Sequence, residues 1–388
     1  MMSKVRVVCV APGKTVRGGI SRFIGKIEHS FPADVDFQVI PSCSYYITDG
    51  RPLGWNTLKQ VVCFLSCLVR VLYRAVFTRS TIFHLHFSHR GSTLRKGLVC
   101  IMLRSLGRTY IIHGHAYEDA IVHTWLPGGI KRALFWGLGG ARHLIALTPL
   151  WRQYYIEKGI VRADRVLVMP NPAKIPDNLP PREGRECLEF LFLGRVGTRK
   201  GTFDLISAFA ELPMPVRRQC RLTIAGDGEI DQARSLLADL GCADFATVLG
   251  WVSGDWIDEL LAQADVLFLP SRAEGMSMSL LEGLAWGLAV VTTSVGGAQE
   301  FLLDDQNCII VEPGDVHGIS AAMVRLVESR DLRCRLGREA RNTVKRFGVD
   351  EYVKRLADLY QELASATISM VQPSLDEVHV KLKCNRTE

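Results

Sequence analysis

Two glutamates and the small residues between them have the types and spacing that phosphate chemistry needs. Glu274 follows a buried apolar segment, and Glu282 stands eight positions later inside a helical pattern. The small residues Gly275, Ser277 and Ser279 would let backbone N–H groups approach an anion at the start of that helix. A diphosphate suits such a place. The alternative is structural: Glu274 would cap the helix and Glu282 would lie on a solvated face.

A basic, glycine-containing turn supports the phosphate interpretation. Residues 193–201 end another apolar run, where Gly194 and Gly201 let the backbone turn and Arg195 and Lys200 supply positive charge. Fixed cations stabilise the negative charge that develops on a departing phosphate as its bond breaks. A solvent-exposed basic turn is the alternative reading of this segment.

Short apolar runs alternate with longer helical patterns, which is typical of parallel strands joined by crossover helices. Five prolines in residues 170–181 interrupt the alternation and exclude a helix there. We therefore predict an α/β fold with two doubly wound, Rossmann-like domains that face a central cleft. The predicted strands are residues 5–10, 37–40, 82–85, 110–112, 143–146, 166–168, 188–193, 220–225, 246–249, 266–269, 289–292 and 308–311.

Composition places the chain among folded globular proteins. Its 388 residues exceed what one core usually serves, and 48% hydrophobic residues exclude a disordered or low-complexity class. Residues 1–180 hold 24 Lys and Arg against 9 Asp and Glu, whereas residues 181–388 hold 23 against 31. The basic first half favours an anionic partner. Eleven cysteines with no C-x-x-C pair favour reduced thiols in a cytosolic compartment.

Together, these motifs resemble the signature of retaining glycosyltransferases of family 4, which share the two-domain GT-B fold. The resemblance rests first on the basic turn and the paired glutamates, and it extends over about residues 4–365. Met276 and Ser277 depart from the common E-G-F-G form of the family. The other matching blocks are Gly18-Gly19-Ile20, His113-Gly114, Ala225-Gly226-Asp227-Gly228, Gly296-Gly297 with Glu300, and Val311-Glu312-Pro313-Gly314-Asp315.

The resemblance implies a role for each matching position. Glu274 would bind hydroxyl groups of the transferred sugar near its anomeric carbon, and Glu282 would bind the ribose of the nucleotide. His113 would lie beside the donor sugar and the incoming acceptor, while Arg195 and Lys200 hold the diphosphate. The implied catalytic residues are Glu274, His113, Arg195 and Lys200, and the implied donor-binding residues are Gly18, Gly19, Gly194, Arg195, Lys200, Gly226, Glu274, Gly275, Met276, Ser277, Met278, Ser279 and Glu282.

Metal chemistry is the less favoured interpretation of the histidines. Five of the ten fall at residues 84, 86, 89, 113 and 115, and H-x-H after a strand can bind a metal ion. No acidic motif with suitable spacing accompanies them, and the pattern suits strand ends that line a cleft. The D-x-D formed by Asp34 and Asp36 lies far in sequence from the phosphate motifs. We expect no metal and no cofactor beyond the nucleotide-sugar co-substrate.

The predicted organisation has five parts. An N-terminal acceptor-binding domain occupies residues 1–169, followed by a proline-rich hinge at 170–186 and a nucleotide-sugar-binding domain at 187–347. A helix at residues 348–365 crosses back to the first domain, and a flexible tail follows at 366–388.

No signal-peptide pattern opens the sequence. The apolar stretch at residues 61–77 contains Arg70 and Arg74, which make it look too short and too charged to span a bilayer. A half-buried helix of an α/β domain and a helix whose basic edge rests on an anionic membrane both fit this stretch. We expect a cytoplasmic protein, peripheral on the inner face of the cell membrane.

The expected activity is transfer of a hexose-type sugar from a nucleoside diphosphate sugar to a glycan or polyprenyl-diphosphate-linked acceptor. It would retain the anomeric configuration and serve exopolysaccharide, capsule or lipopolysaccharide assembly, with no nucleic-acid partner. In a front-face displacement the leaving phosphate can itself take the acceptor proton, so the protein mainly orients groups and stabilises charge. The alternatives are a sugar-nucleotide epimerase of the same fold and a non-catalytic nucleotide-sugar-binding protein.

Overall fold

The chain forms two compact units, each built on a parallel sheet. A computed structural model describes residues 4–13, 16–43, 53–78, 80–88, 91–115, 126–182, 185 and 187–371. Unit 1 comprises residues 1–169 and 350–388, and unit 2 comprises residues 170–349. The predicted α/β fold with two Rossmann-like domains is confirmed.

Unit 1 contains six strands and six α-helices among its described residues. Its strands are largely buried apolar runs, as parallel strands covered by helices on both faces must be. The strands are β1 (Val5–Ala11), β2 (Val35–Pro41), β3 (Ile82–Phe87), β4 (Tyr110–Gly114), β5 (Leu144–Ala146) and β6 (Val166–Val168). The helices are α1 (Gly19–Ile27), α2 (Leu53–Phe77), α3 (Gly91–Ser105), α4 (Gly128–Gly139), α5 (Pro149–Glu157) and α13 (Val349–Val371), of which only the first residue of α13 belongs to unit 2.

Unit 2 repeats the same kind of architecture. Its core is a continuous cluster of buried aliphatic and aromatic side chains from the sheet and the flanking helices. The strands are β7 (Leu188–Leu193), β8 (Cys220–Ala225), β9 (Ala246–Gly250), β10 (Val266–Leu269), β11 (Ala289–Thr293) and β12 (Ile309–Val311). The helices are α6 (Thr202–Ala210), α7 (Met214–Arg217), α8 (Ile230–Asp239), α9 (Asp255–Gln263), α10 (Met278–Ala285), α11 (Val316–Glu328) and α12 (Arg330–Val344).

Strand order locates the place where each sheet can hold a ligand. The order is β2-β1-β3-β4-β5-β6 in unit 1 and β12-β11-β10-β7-β8-β9 in unit 2. In sheets of this kind a crevice opens at the carboxyl ends of the strands where the winding direction reverses. That reversal lies between β1 and β3 in unit 1 and between β7 and β10 in unit 2.

The proline-rich segment packs against unit 2. The side-chain amide of Asn171 donates to the carbonyl of Met276 at 3.2 Å, and Lys174 pairs with Asp258 at 3.2 Å. These contacts place the first part of the segment within unit 2, and its predicted action as a hinge stays a prediction.

The C-terminal helix is longer than the sequence suggested. Helix α13 continues to Val371, so the predicted flexible tail is wrong for residues 366–371; residues 372–388 lie outside the described part of the chain. Within the extension, the Thr367 hydroxyl donates to the carbonyl of Leu363 at 2.7 Å and lies 3.0 Å from the Thr109 hydroxyl.

Helix α2 exposes an unusually apolar surface. One narrow stripe of Cys67, Val71 and Ala75 is buried, and the helix contacts β2 and α3. By length and composition alone, Leu58–Phe77 could cross a membrane, so the expectation that this stretch is too short and too charged does not hold. The exposed apolar residues are Leu58, Val61, Val62, Leu65, Val69, Leu72, Tyr73, Val76 and Phe77.

Candidate active site

The paired glutamates and the basic turn lie on neighbouring loops of unit 2. The turn follows β7, and the loop of Glu274 follows β10, the strand hydrogen-bonded beside β7. The carboxyl ends of parallel strands share one edge of a sheet, so both loops leave it at the reversal of the winding. The fold therefore brings together residues that stand more than 70 positions apart.

Glu274 is the centre of this group. Its carboxylate accepts hydrogen bonds from Lys200 Nζ and, at 3.1 Å, from the Ser271 hydroxyl. The Arg199 guanidinium lies 3.9 Å from the other carboxylate oxygen and also donates to the carbonyl of Ala273 at 2.9 Å. Lys200 is largely buried, so its charge depends on these protein partners more than on water.

Glycines allow the loops to approach this closely. Gly201 has φ 69°, and a Cβ there would overlap the carbonyl of Pro270, at the start of the Glu274 loop. Gly226 has φ 157°, and a Cβ there would overlap the carbonyl of Gly194. Any side chain at either position would separate adjacent loops, so the site depends on glycine at both.

Arg195 lies toward the loop that follows β8. Its guanidinium is 4.0 Å from the carboxylate of Asp227, and its side chain is half exposed. The backbones of the two loops are also tied, since the amide of Val196 donates to the carbonyl of Asp227 at 2.6 Å. The basic turn thus places Lys200 and Arg199 beside Glu274 and Arg195 beside Asp227.

The loop after β10 leads directly into helix α10. Ser277 is the N-cap, and its hydroxyl accepts from the amide of Leu280 at 3.4 Å. The first amides of a helix lack partners within the helix and form a positive end suited to an anion. Asn171 fixes Met276 from the proline-rich segment, a contact that no sequence pattern had indicated.

Four more residues of the predicted donor set lie in α10 or in the loop before it. Met278, Ser279 and Glu282 are all buried within α10, and Gly275 lies in the preceding loop, where its carbonyl accepts from the amide of Gly297 at 2.9 Å. The proposed contact between Glu282 and a ribose stays a prediction.

The other three predicted site residues belong to unit 1. Gly18 is the N-cap of α1, and Gly19 is the first residue of that helix. His113 is fully buried in β4. The histidines were expected at strand ends lining a cleft. His86 and His113 are the next-to-last residues of β3 and β4, which extend two residues further than predicted, and His84 lies in the middle of β3. All three side chains are buried, and their exposure to a cleft stays a prediction.

Burial also decides the charge of the histidine cluster. It lowers the pKa of His84 and of His115 to about 3, and it lowers the pKa of His86 and His113 well below the ordinary range. All four imidazoles are therefore neutral at pH 7. Residue 89, the fifth histidine of the pattern, lies outside the described residues.

Comparison with known proteins finds similarity to glycosyltransferases over most of unit 2. Residues 180–343 match the family model described as "Glycosyl transferases group 1". The chain is 34% identical over 171 residues to the lipopolysaccharide core biosynthesis glycosyltransferase LpsE of Rhizobium meliloti. This match covers 42% of the chain and 48% of LpsE. It is 30% identical over 243 residues to the exopolysaccharide phosphotransferase SCO2592 of Streptomyces coelicolor, covering 62% of this chain and only 25% of that protein.

Solved structures extend the likeness in fold to both units. HepE of Anabaena, determined in complex with UDP, has a TM-score of 0.71 at 15% sequence identity; the match covers 92% of this chain and 100% of HepE. At that identity the likeness concerns the fold alone. The architecture is that of GT-B glycosyltransferases.

Proposed function

We propose that the protein is a retaining glycosyltransferase of family 4. It would move a hexose-type sugar from a nucleoside diphosphate sugar to a glycan or lipid-linked acceptor during polysaccharide or lipopolysaccharide assembly. The observation that carries the proposal is the cluster of Glu274 with Lys200 and Arg199 at the sheet reversal of unit 2. The family match of unit 2 and the names of its relatives support the activity and the kind of product.

In the proposed mechanism, the Lys200–Glu274 ion pair holds a positive charge in position before the donor binds. A donor diphosphate offers Lys200 a doubly charged partner in place of a single carboxylate, and the amide end of α10 adds its dipole. These groups stabilise the charge that develops as the sugar–phosphate bond breaks. Glu274, released from Lys200, can then accept hydrogen bonds from sugar hydroxyls. In this mechanism Lys200 and the helix amides neutralise the diphosphate, so no metal ion is needed.

Binding of nucleoside diphosphates tests the site directly. We expect either UDP or GDP to raise the melting temperature more than the matching monophosphate, because the β-phosphate reaches Lys200. In Lys200→Ala this difference between diphosphate and monophosphate should disappear. Lys174→Ala removes an exposed ion pair of the same unit and should preserve it. Equal shifts for mono- and diphosphate in the parent protein would contradict the proposal.

Turnover of the donor separates transfer from epimerisation. A transferase consumes the donor only when an acceptor is supplied, for example a polyprenyl-diphosphate-linked sugar, whereas an epimerase converts the donor alone. Product anomers resolved by NMR would establish or refute retention. A protein that binds the diphosphate yet never consumes a donor would be the non-catalytic alternative.

The apolar surface of α2 supports a membrane-associated acceptor. Its exposed face is wider than its buried stripe, and Lys59 and Arg70 are exposed on the same helix. Exposed apolar patches of this size mark interaction surfaces, and basic residues favour anionic lipids. We propose a cytoplasmic protein that docks on the inner membrane face through unit 1.

Vesicle co-sedimentation measures this docking. The protein should bind phosphatidylglycerol-containing vesicles and bind less at high salt, since salt screens the basic residues. Val69→Glu and Phe77→Glu should each weaken binding about tenfold or more, because a buried apolar side chain is worth about 1.5–3 kcal/mol. Leu240→Glu, at an exposed leucine of unit 2, is the matched control. Binding that ignores both lipid charge and the α2 variants would favour a soluble acceptor.

A further inference from the structure

Three of the buried histidines meet on one face of the unit 1 sheet. His84 and His86 alternate along β3, and the strand register pairs His86 with His113 of β4. Alternation places all three side chains on the same face. Phe23 of α1 packs against the rings of His86 and His113, with centroids 5.5 Å away in each case. The cluster therefore lies between the sheet and its covering helices.

The free ring nitrogens of this cluster are chemically unsatisfied. Nε2 of His84, Nε2 of His86 and both ring nitrogens of His113 are buried without a hydrogen-bond partner among the described residues. Leaving one buried polar atom unpaired costs about 1–3 kcal/mol. Four unpaired atoms in one place therefore lower the stability of the fold considerably. A ligand that accepts several nitrogen lone pairs would remove most of this free-energy cost.

We propose that His84, His86 and His113 bind one divalent transition-metal ion, of which Zn²⁺ is the most suitable. One ring nitrogen of each histidine lies within 4.8 Å of the others. The ring centroids are 4.2 Å, 4.9 Å and 5.5 Å apart. Two imidazoles on one tetrahedral ion have centroids about 5 Å apart, since each zinc–nitrogen bond is about 2.0–2.1 Å. Rotation of the rings about their side-chain bonds would bring the three lone pairs onto one ion.

The second ring nitrogens of His84 and His86 are already held in the way that metal ligands require. Nδ1 of His84 lies 2.6 Å from the Tyr360 hydroxyl, and Nδ1 of His86 lies 2.9 Å from Nε2 of His115. When each Nδ1 donates its proton, Nε2 is left as the lone pair that faces the cluster. Histidine ligands typically donate their other N–H to a partner of this kind. The ion would also tie α13, which carries Tyr360, to the sheet.

A positively charged side chain near the cluster should weaken binding of a metal ion, so removing its charge should raise the affinity. Lys96 is buried, its ammonium donates to the Ser42 hydroxyl at 2.6 Å, and its charge contributes to the lowered pKa of His86. A bound dication would be repelled by the same charge. Lys96→Met keeps most of the length of the unbranched side chain and removes the charge, so this substitution should strengthen metal binding.

The experiment uses full-length protein without an affinity tag, treated with EDTA and then titrated with Zn²⁺ or Co²⁺. We expect one ion per chain by equilibrium dialysis, and intense visible bands for Co²⁺ in tetrahedral coordination. His84→Gln and His86→Gln should each weaken binding by 100-fold or more, and Tyr360→Phe by about 10- to 100-fold. His143→Gln alters a half-buried histidine of the same unit outside the cluster and should leave affinity unchanged.

The possible failures are distinguishable. The proposal is overturned if no ion binds at micromolar concentration, or if the bound ion survives both His84→Gln and His86→Gln. Octahedral Co²⁺ spectra would also contradict a three-histidine site. All these measurements are made without donor or acceptor, so they stand apart from the proposed glycosyl transfer. Circular dichroism on each variant separates loss of the site from loss of the fold.

Discussion

Replacing either member of the Lys200–Glu274 pair by alanine should lower the rate of sugar transfer by about 10²- to 10³-fold. Lys200→Ala removes a preorganised charge at the leaving phosphate, and losses of this size follow removal of one such group in other enzymes. Glu274→Ala removes an acceptor for sugar hydroxyls and leaves the largely buried lysine without its carboxylate partner. Initial rates with saturating donor and acceptor measure both variants.

The double variant shows whether the two residues act as a unit. If Lys200 and Glu274 depend on each other, Lys200→Ala/Glu274→Ala should be hardly slower than either single variant. Independent roles would make the two losses multiply. Lys174→Ala and Asp258→Ala break a comparable but exposed pair in the same unit and should transfer sugar at the parental rate. Parental activity in Lys200→Ala or Glu274→Ala would remove this group from the active site.

Most strands could be predicted because they are buried apolar runs bounded by residues that stop a strand. All twelve predicted strands are present, and β6, β7, β8 and β10 have the predicted bounds. Boundaries failed where the next residues were equally compatible with a strand. The run at β3 was expected to end at residue 85, yet His86 and Phe87 continue the same buried alternation and extend the strand.

Long-range contacts were the part that the sequence could not supply. The motif resemblance brought Lys200 and Glu274 to one site, but nothing in their spacing indicated that they would contact each other directly. The same holds for His84 and Tyr360, which are 276 positions apart and hydrogen-bonded. Helix α13 packs on the β3 face, and this tertiary contact cannot be read from local sequence. The packing helps to bury histidines that were expected to line a cleft, and burial keeps them unprotonated.

That burial should make the protein sensitive to acid. In the folded state the four histidines stay neutral down to low pH, since burial lowers the pKa of His84 and His115 to about 3 and that of His86 and His113 well below normal. In the unfolded chain each becomes protonated below about pH 6.5. The unfolded state then binds more protons, so the free energy of unfolding must fall as the pH falls through this window.

The size of the effect follows from the number of histidines. Each contributes about 1.4 kcal/mol per pH unit well below pH 6.5, so four together contribute about 5.5 kcal/mol per unit. Because net stability is typically about 5–15 kcal/mol, unfolding is expected within roughly two pH units below 6.5. Urea titrations followed by circular dichroism, in EDTA at a series of pH values, measure this slope.

Single substitutions assign the slope to the cluster. His84→Gln removes one titrating group and should reduce the slope by about 1.4 kcal/mol per pH unit, although the variant is less stable at neutral pH. His29→Gln, at a histidine whose side chain is 81% exposed and lies outside the cluster, is the control substitution. A free energy of unfolding that stays constant between pH 6.5 and pH 5 would mean that the histidines are accessible to protons in the folded chain. In that case they could not be the dry, neutral nitrogen donors on which the proposed metal site depends.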